Sequence, residues 1–94
     1  MVRKKVKKWT DGDSGVFSDG TRFRLSGVRA PEKHQFGGSK ATRAAAGMSG
    51  RSKGYVNVTK RGNDSYGRDI VEMRNKDGSI NERLRKKGYK NKGR

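Results

Sequence analysis

The chain has 94 residues, with 25 Lys or Arg against 9 Asp or Glu, a formal net charge of +16 and a hydrophobic fraction of 28%. That length holds one domain at most, built around a small core. The absence of cysteine excludes disulfides, thiolate zinc sites and a cysteine nucleophile.

The start, MVRKKVKKWT, is basic like a signal n-region, but no apolar run follows. No signal peptide or membrane span is therefore expected in these residues. The compartment stays open: cytoplasmic, or secreted with a leader removed. Val2, Val6 and Trp9 among five basic residues read as a basic edge strand over 1–9. TDGDSG, 10–15, reads as a tight Asp-Gly turn, and Val16 and Phe17 as a short second strand. SDGT, 18–21, is a second Asp-Gly turn. RFRLSGV then alternates, with Phe23, Leu25 and Gly27 on one face and Arg22, Arg24 and Ser26 on the other.

Pro31 stops this three-stranded meander, and EKHQFGG is a loop. Ser39 is the expected N-cap of KATRAAAGM, whose alanines favour helix until Gly47 and Gly50 end it. GYVNVTKR, 54–61, sets Val56 and Val58 against Tyr55 and Asn57 as a fourth strand, and RDIVEMR, 68–74, is a fifth. INERLRKKGY closes the chain as a short helix that buries Ile80 and Leu84. A meander joined through a helix to a hairpin predicts a mainly β fold with short helices, a five-stranded OB-fold barrel, with a small SH3-like barrel as the alternative. One domain is expected over 1–94, ordered from about 6 to 89, with 1–4 and 90–94 flexible. Low hydrophobicity with high net charge also marks disordered chains, but the alternating stretches between glycine turns argue for a folded centre.

An excess of this size attracts polyanions, so nucleic acid, DNA or RNA, is the expected partner, bound in a salt-sensitive way. Solubility alone asks for a net charge of only about 2–8 in a small domain. A membrane surface fits less well, because no basic amphipathic helix of useful length is present. No protein partner is indicated. His34, a lone histidine in a loop, reads as exposed rather than as a ligand or base. The basic run at 83–92 reads as a solvated helix face that also attracts phosphate, with Tyr89 able to stack on a base.

Binding needs only cations; cleaving a phosphodiester also needs an activated water and neutralisation of the phosphate. The acids therefore matter most. Asp11 and Asp13 sit on a glycine-bearing hairpin, and Glu32 follows the only proline. Each alone reads as an ordinary turn residue. In order, however, the chain carries DGDS, RFRLSGVRAPE, a helix, DSYGR and NERLRKKGY. This ordered set, from about Val6 to Tyr89, resembles the staphylococcal nuclease-like, or thermonuclease, family. The family pattern is an Asp-Gly-Asp turn, an Arg-Leu strand ending in Asp-Ala-Pro-Glu or Asp-Thr-Pro-Glu, an Asp-x-Tyr-Gly-Arg segment, and an Asn opening a helix.

The resemblance implies a calcium-dependent nuclease on an OB barrel that hydrolyses DNA or RNA to 3′-phosphate ends. It implies metal binding by Asp13, with Asp11 and the carbonyl of Ala30 in support. It implies that Glu32 orients or deprotonates the attacking water, that Arg24 and Arg68 clamp the phosphate, and that Tyr66 lies near the nucleotide. Where the family carries a metal-binding aspartate, this chain has Arg29, which is expected to weaken Ca2+ binding or to contact phosphate; Mg2+ is a possible substitute. The chain also ends soon after Tyr89, which corresponds to a truncated C-terminus beside the type protein. Three readings follow: a metal-dependent nuclease, a nuclease-derived module that binds nucleic acid without turnover, and an unrelated basic architectural protein.

Overall fold

The computed structural model describes residues 2–32 and 34–90. β1 (Val2–Asp11), β2 (Ser14–Phe17) and β3 (Arg22–Leu25) form the expected antiparallel meander. β1 also pairs antiparallel with β4 (Tyr55–Asn63), which in turn pairs with β5 (Asp69–Asn75). The barrel closes where β3 and β5 run parallel, from Phe23 opposite Asp69 to Leu25 opposite Val71. These pairings make a closed five-stranded barrel with two short helices, the OB-fold plan rather than the SH3-like alternative. β6 (Gly78–Ser79) is a two-residue extension on β5.

β1 reaches both neighbours by bending. Its register shifts between Val6 and Lys8 and again between Trp9 and Asp11. Bulges of this kind add twist and let one long strand curl around a small barrel. Residues 2–4, expected in a flexible end, lie in β1: Val2, Arg3 and Lys4 sit opposite Val58, Asn57 and Val56. At the other end Lys90 bridges Val28, and the rest of the expected tail, 91–94, lies outside the described residues.

Several expected boundaries move. The strand read over 22–28 stops at Leu25, because Gly27 turns left-handed, with φ of 70°. The helix predicted to begin at Lys40, after an N-cap at Ser39, starts two residues earlier, as α1 (Gly38–Gly50). Gly37, at φ 81°, is its N-cap, with no side-chain capping bond, and Ser39 lies inside the first turn. Gly47 does not end α1, because the buried face of Ala41, Ala45, Met48 and Ser49 continues past it. α2 (Ile80–Lys86) is shorter than the predicted 80–89; Ser79 caps it by accepting from the Glu82 N–H.

The core is small and aromatic at its centre. Phe23 meets Trp9 edge to face at 5.1 Å and Phe17 at 4.5 Å between ring centroids. Trp9 donates its indole N–H to the Ser49 hydroxyl at 2.9 Å, which fixes α1 against β1. Ile80 and Leu84 of α2 are buried, as expected. Asn81 is buried with them: its Oδ1 accepts from the Met73 N–H, and its Nδ2 donates to the carbonyls of Ser26 and Val71. That one side chain ties α2 to β5 and to the turn that follows β3. No helix among the described residues is long and apolar enough to cross a membrane.

Candidate active site

Gly12 brings the first hairpin to the site. A Cβ there would lie 2.8 Å from Ala41 Cβ on α1 and 2.9 Å from Ala30 Cβ, so only glycine allows this approach. The approach lets Asp13 hold β3 and the segment after it. Its carbonyl accepts from the Leu25 N–H at 2.8 Å, and its Oδ2 accepts from the Ala30 N–H at 3.1 Å. Asp11 Oδ2 accepts from the Ser14 hydroxyl at 3.4 Å.

The segment after β3 is pinned residue by residue. Arg29 donates its N–H to the Tyr89 carbonyl at 3.3 Å, and Ala30 donates to Asp13. The Glu32 N–H donates to Gln35 Oε1 at 2.9 Å, while the Gln35 N–H returns to the Glu32 carbonyl at 2.8 Å. Beyond Pro31, whose ring fixes φ, these bonds define where Glu32 stands. The Glu32 carboxylate is largely exposed and lies 3.2 Å from His34 Nε2. His34 is thus exposed, as expected, yet it has an acidic neighbour that sequence spacing did not reveal.

Arg24 projects from β3 on the side opposite Phe23 and Leu25, since strand side chains alternate. Arg68 is fixed by a turn that Asp64 organises. Asp64 Oδ1 accepts from the N–H groups of Tyr66 and Arg68, both at 2.9 Å, and its Oδ2 accepts from Arg68 Nε at 2.6 Å. Gly67 takes φ of 78° within that turn, a conformation natural to glycine. The Arg22 guanidinium donates to the Tyr66 carbonyl from the neighbouring strand. Tyr66 is exposed, and the Arg68 guanidinium lies over its ring, 5.5 Å from the centroid.

Asp11, Asp13, Arg24, Arg29, Ala30, Glu32, Tyr66 and Arg68, all the residues singled out from sequence, line one cleft of about 680 Å3. Gln35 and Asp64 complete its walls. Sequence reasoning assigned neither of these a place. The signal for Asp64 was its i,i+4 spacing to Arg68 within DSYGR; the signal for Gln35 was absent. A second hollow of about 470 Å3 adjoins the cleft, shares Arg29, Ala30 and Gln35 with it, and is bounded by Pro31 and Tyr89.

Two aspartates of the cleft are shifted in opposite directions. Burial pushes the Asp13 carboxyl above its ordinary range, and the Asp11 charge adds to this against the Ala30 N–H and Arg24. Asp64 loses some solvation, which raises it, but the N–H and guanidinium bonds from Arg68 and the Tyr66 N–H outweigh that and hold it low. A desolvated carboxylate beside a second one is the chemistry of an oxygen-liking divalent cation site. Asp11, Asp13 and the Ala30 carbonyl suit such an ion in donor type. Among the described residues no three His, Cys, Asp or Glu side chains converge to hold one, and Arg29 lines the cleft as a cation. The donors are of the right type, but they fall short of the cluster a closed metal site needs.

The closed OB barrel thus brings carboxylates from the first hairpin and guanidiniums from β3 and the turn before β5 into one cleft. The family model described as staphylococcal nuclease homologue matches residues 22–92, and the chain belongs to that family. The matched span contains Arg24, Arg29, Glu32, Tyr66 and Arg68; the hairpin with Asp11 and Asp13 precedes it. Compared with the curated proteins, the chain matches none.

Proposed function

We propose that the protein is a metal-assisted nuclease that hydrolyses phosphodiester bonds of DNA or RNA. One observation carries this reading: Glu32, Arg24 and Arg68 line the same cleft as the Asp11–Asp13 hairpin. Glu32 takes a proton from the attacking water as its oxygen bonds to phosphorus. Arg24 and Arg68 donate paired hydrogen bonds to the phosphate oxygens, a planar fork that lysine cannot supply. Because negative charge grows on those oxygens in the transition state, the guanidiniums stabilise it more than the ground state. The bond from phosphorus to the 5′-oxygen breaks, that oxygen takes up a proton from solvent, and a 3′-phosphate remains. Asp13, Asp11 and the Ala30 carbonyl would hold Ca2+, or Mg2+, whose charge adds to the neutralisation of the phosphate. Tyr66, exposed at the rim, offers a face to the sugar or base.

The test is incubation of single- and double-stranded DNA with Ca2+, Mg2+ or EDTA. Cleavage is expected with millimolar cation, absent in EDTA, and lost in Glu32→Ser and Arg24→Ala. Intact DNA under every cation, with RNA intact in the same incubations, overturns the reading. Arg29 favours a second one, a nuclease-derived module that binds nucleic acid without turnover, because it puts a positive charge in the cleft where the family pattern has a carboxylate. In that case the parent protein binds but does not cut, and Arg29→Asp brings cleavage.

A further inference from the structure

A second concentration of aromatic and basic groups lies far from the cleft. Residues directly opposite in antiparallel strands share a face of the sheet. Arg3 is opposite Asn57, Lys5 is opposite Tyr55, and Asn57 is opposite Arg74. These side chains therefore form one outer patch across β1, β4 and β5, and all of them are exposed. At its centre is Tyr55, 42% exposed, with Arg3 4.8 Å and Lys5 5.5 Å from its ring centroid. A hollow of about 220 Å3 opens beside the ring, between Arg3, Asn57, Asn75 and Lys76.

The acids near this patch are engaged: Glu72 accepts from the Ser79 hydroxyl, and Asp77 pairs with Arg51. Tyr55 begins β4 and the cleft lies just beyond its other end, at Asn63. Eight steps of strand separate them by about 26 Å. The patch cannot take part in chemistry at the cleft, and the barrel interior does not need the ring.

The geometry points to a second, non-catalytic site that binds single-stranded nucleic acid, with a base stacked on Tyr55 and flanking phosphates on Arg3 and Lys5. Arg3 and Lys5 lie over the ring; in swinging off it to phosphates on either side they open its face to a base, and base and phosphate alternate in this way along a strand. A duplex hides its base faces, and a simple polyanion has none to stack. The site stands apart from the cleft and does not depend on catalysis there.

The experiment is fluorescence anisotropy in EDTA with a labelled oligothymidylate of about 16 nucleotides, a duplex of equal length, and inorganic polyphosphate as competitor. Tyr55→Leu is expected to weaken oligothymidylate binding about tenfold, while Tyr55→Phe, which keeps the ring, binds as the parent does. The double variant Arg3→Gln, Lys5→Gln is expected to flatten the slope of log K against log salt by about 1.4. Oligothymidylate affinity within twofold of the parent for Tyr55→Leu overturns the proposal. So does an equal loss from Tyr55→Leu on duplex or polyphosphate, since neither presents a free base.

Discussion

Asp64 governs Arg68 rather than any substrate group. It accepts the backbone N–H and the guanidinium Nε of Arg68 from one carboxylate. Asp64→Asn keeps an oxygen for the turn but removes the charge that orients the fork. Cleavage is expected to fall about tenfold, and adding Arg68→Ala is expected to cost less in the variant than in the parent, since the two act as a unit. Steady-state rates of the four proteins in the cycle check this. That Arg24, Glu32 and Arg68 share one cleft was legible because their motifs occur in order; Asp64 heads one of those motifs, but its grip on Arg68 was not legible, because an acid before Ser-Tyr-Gly also reads as a plain turn former. Asp13 carries a different signature. Burial raises its carboxyl above the ordinary 3.8, so the folded protein keeps the proton longer than the unfolded chain. The fold therefore loses stability as pH climbs from the ordinary value through the raised one. Asp13→Asn escapes it. The variant is expected to melt above the parent at pH 7, with the gap closing below pH 3.8, and to lose cleavage. Thermal melts across this range, beside activity at neutral pH, test both halves.

At the scale of elements, the meander and its partners were readable because apolar residues alternate around Phe23, Leu25, Val56 and Val58. What escaped was how the elements touch. Ser39 has the chemistry of an N-cap, but the tight turn through Gln35 to Gly37 starts α1 on a left-handed glycine instead. Gly12 was read as a turn glycine; its structural role is contact, wedged between Ala30 and Ala41. Sequence alone cannot tell these roles apart, since one depends on φ and the other on a helix that arrives almost thirty residues later. Gly12→Ala separates them. A methyl group there must push the hairpin from α1 and from Ala30, which strains the Asp13–Ala30 bond as well as the packing. The expected cost is about 1–3 kcal/mol. Cation-dependent cleavage is expected to fall at temperatures where circular dichroism still shows the variant fully folded. Activity that tracks only the folded fraction would restrict Gly12 to packing.

For the whole molecule, a net charge of +16 acts on the fold and on the ligand with opposite signs. In the free protein the positive groups repel one another, and the core that resists them is small. Salt screens that repulsion, so raising it from about 0.05 to about 0.2 M is expected to raise the melting temperature of the free chain. A bound strand adds stability by mass action, about 2.7 kcal/mol when the ligand is a hundredfold above its dissociation constant. For a domain of this size that is a rise of about 10–20 °C. The same salt step weakens the complex, because neutralising phosphates releases counterions: in the cleft the three guanidiniums Arg24, Arg29 and Arg68 on phosphate give a slope of about −2 in log K against log salt, and at the outer patch Arg3 and Lys5 give about −1.4. Salt is thus expected to lift the melting curve of the free protein and lower that of the protein with oligonucleotide, so that the two converge. Melts with and without a short oligothymidylate, in EDTA to exclude cleavage, measure both slopes at once. Parallel shifts of the two curves would mean that the excess charge serves solubility and that the cleft and the outer patch hold the strand by something other than its phosphates.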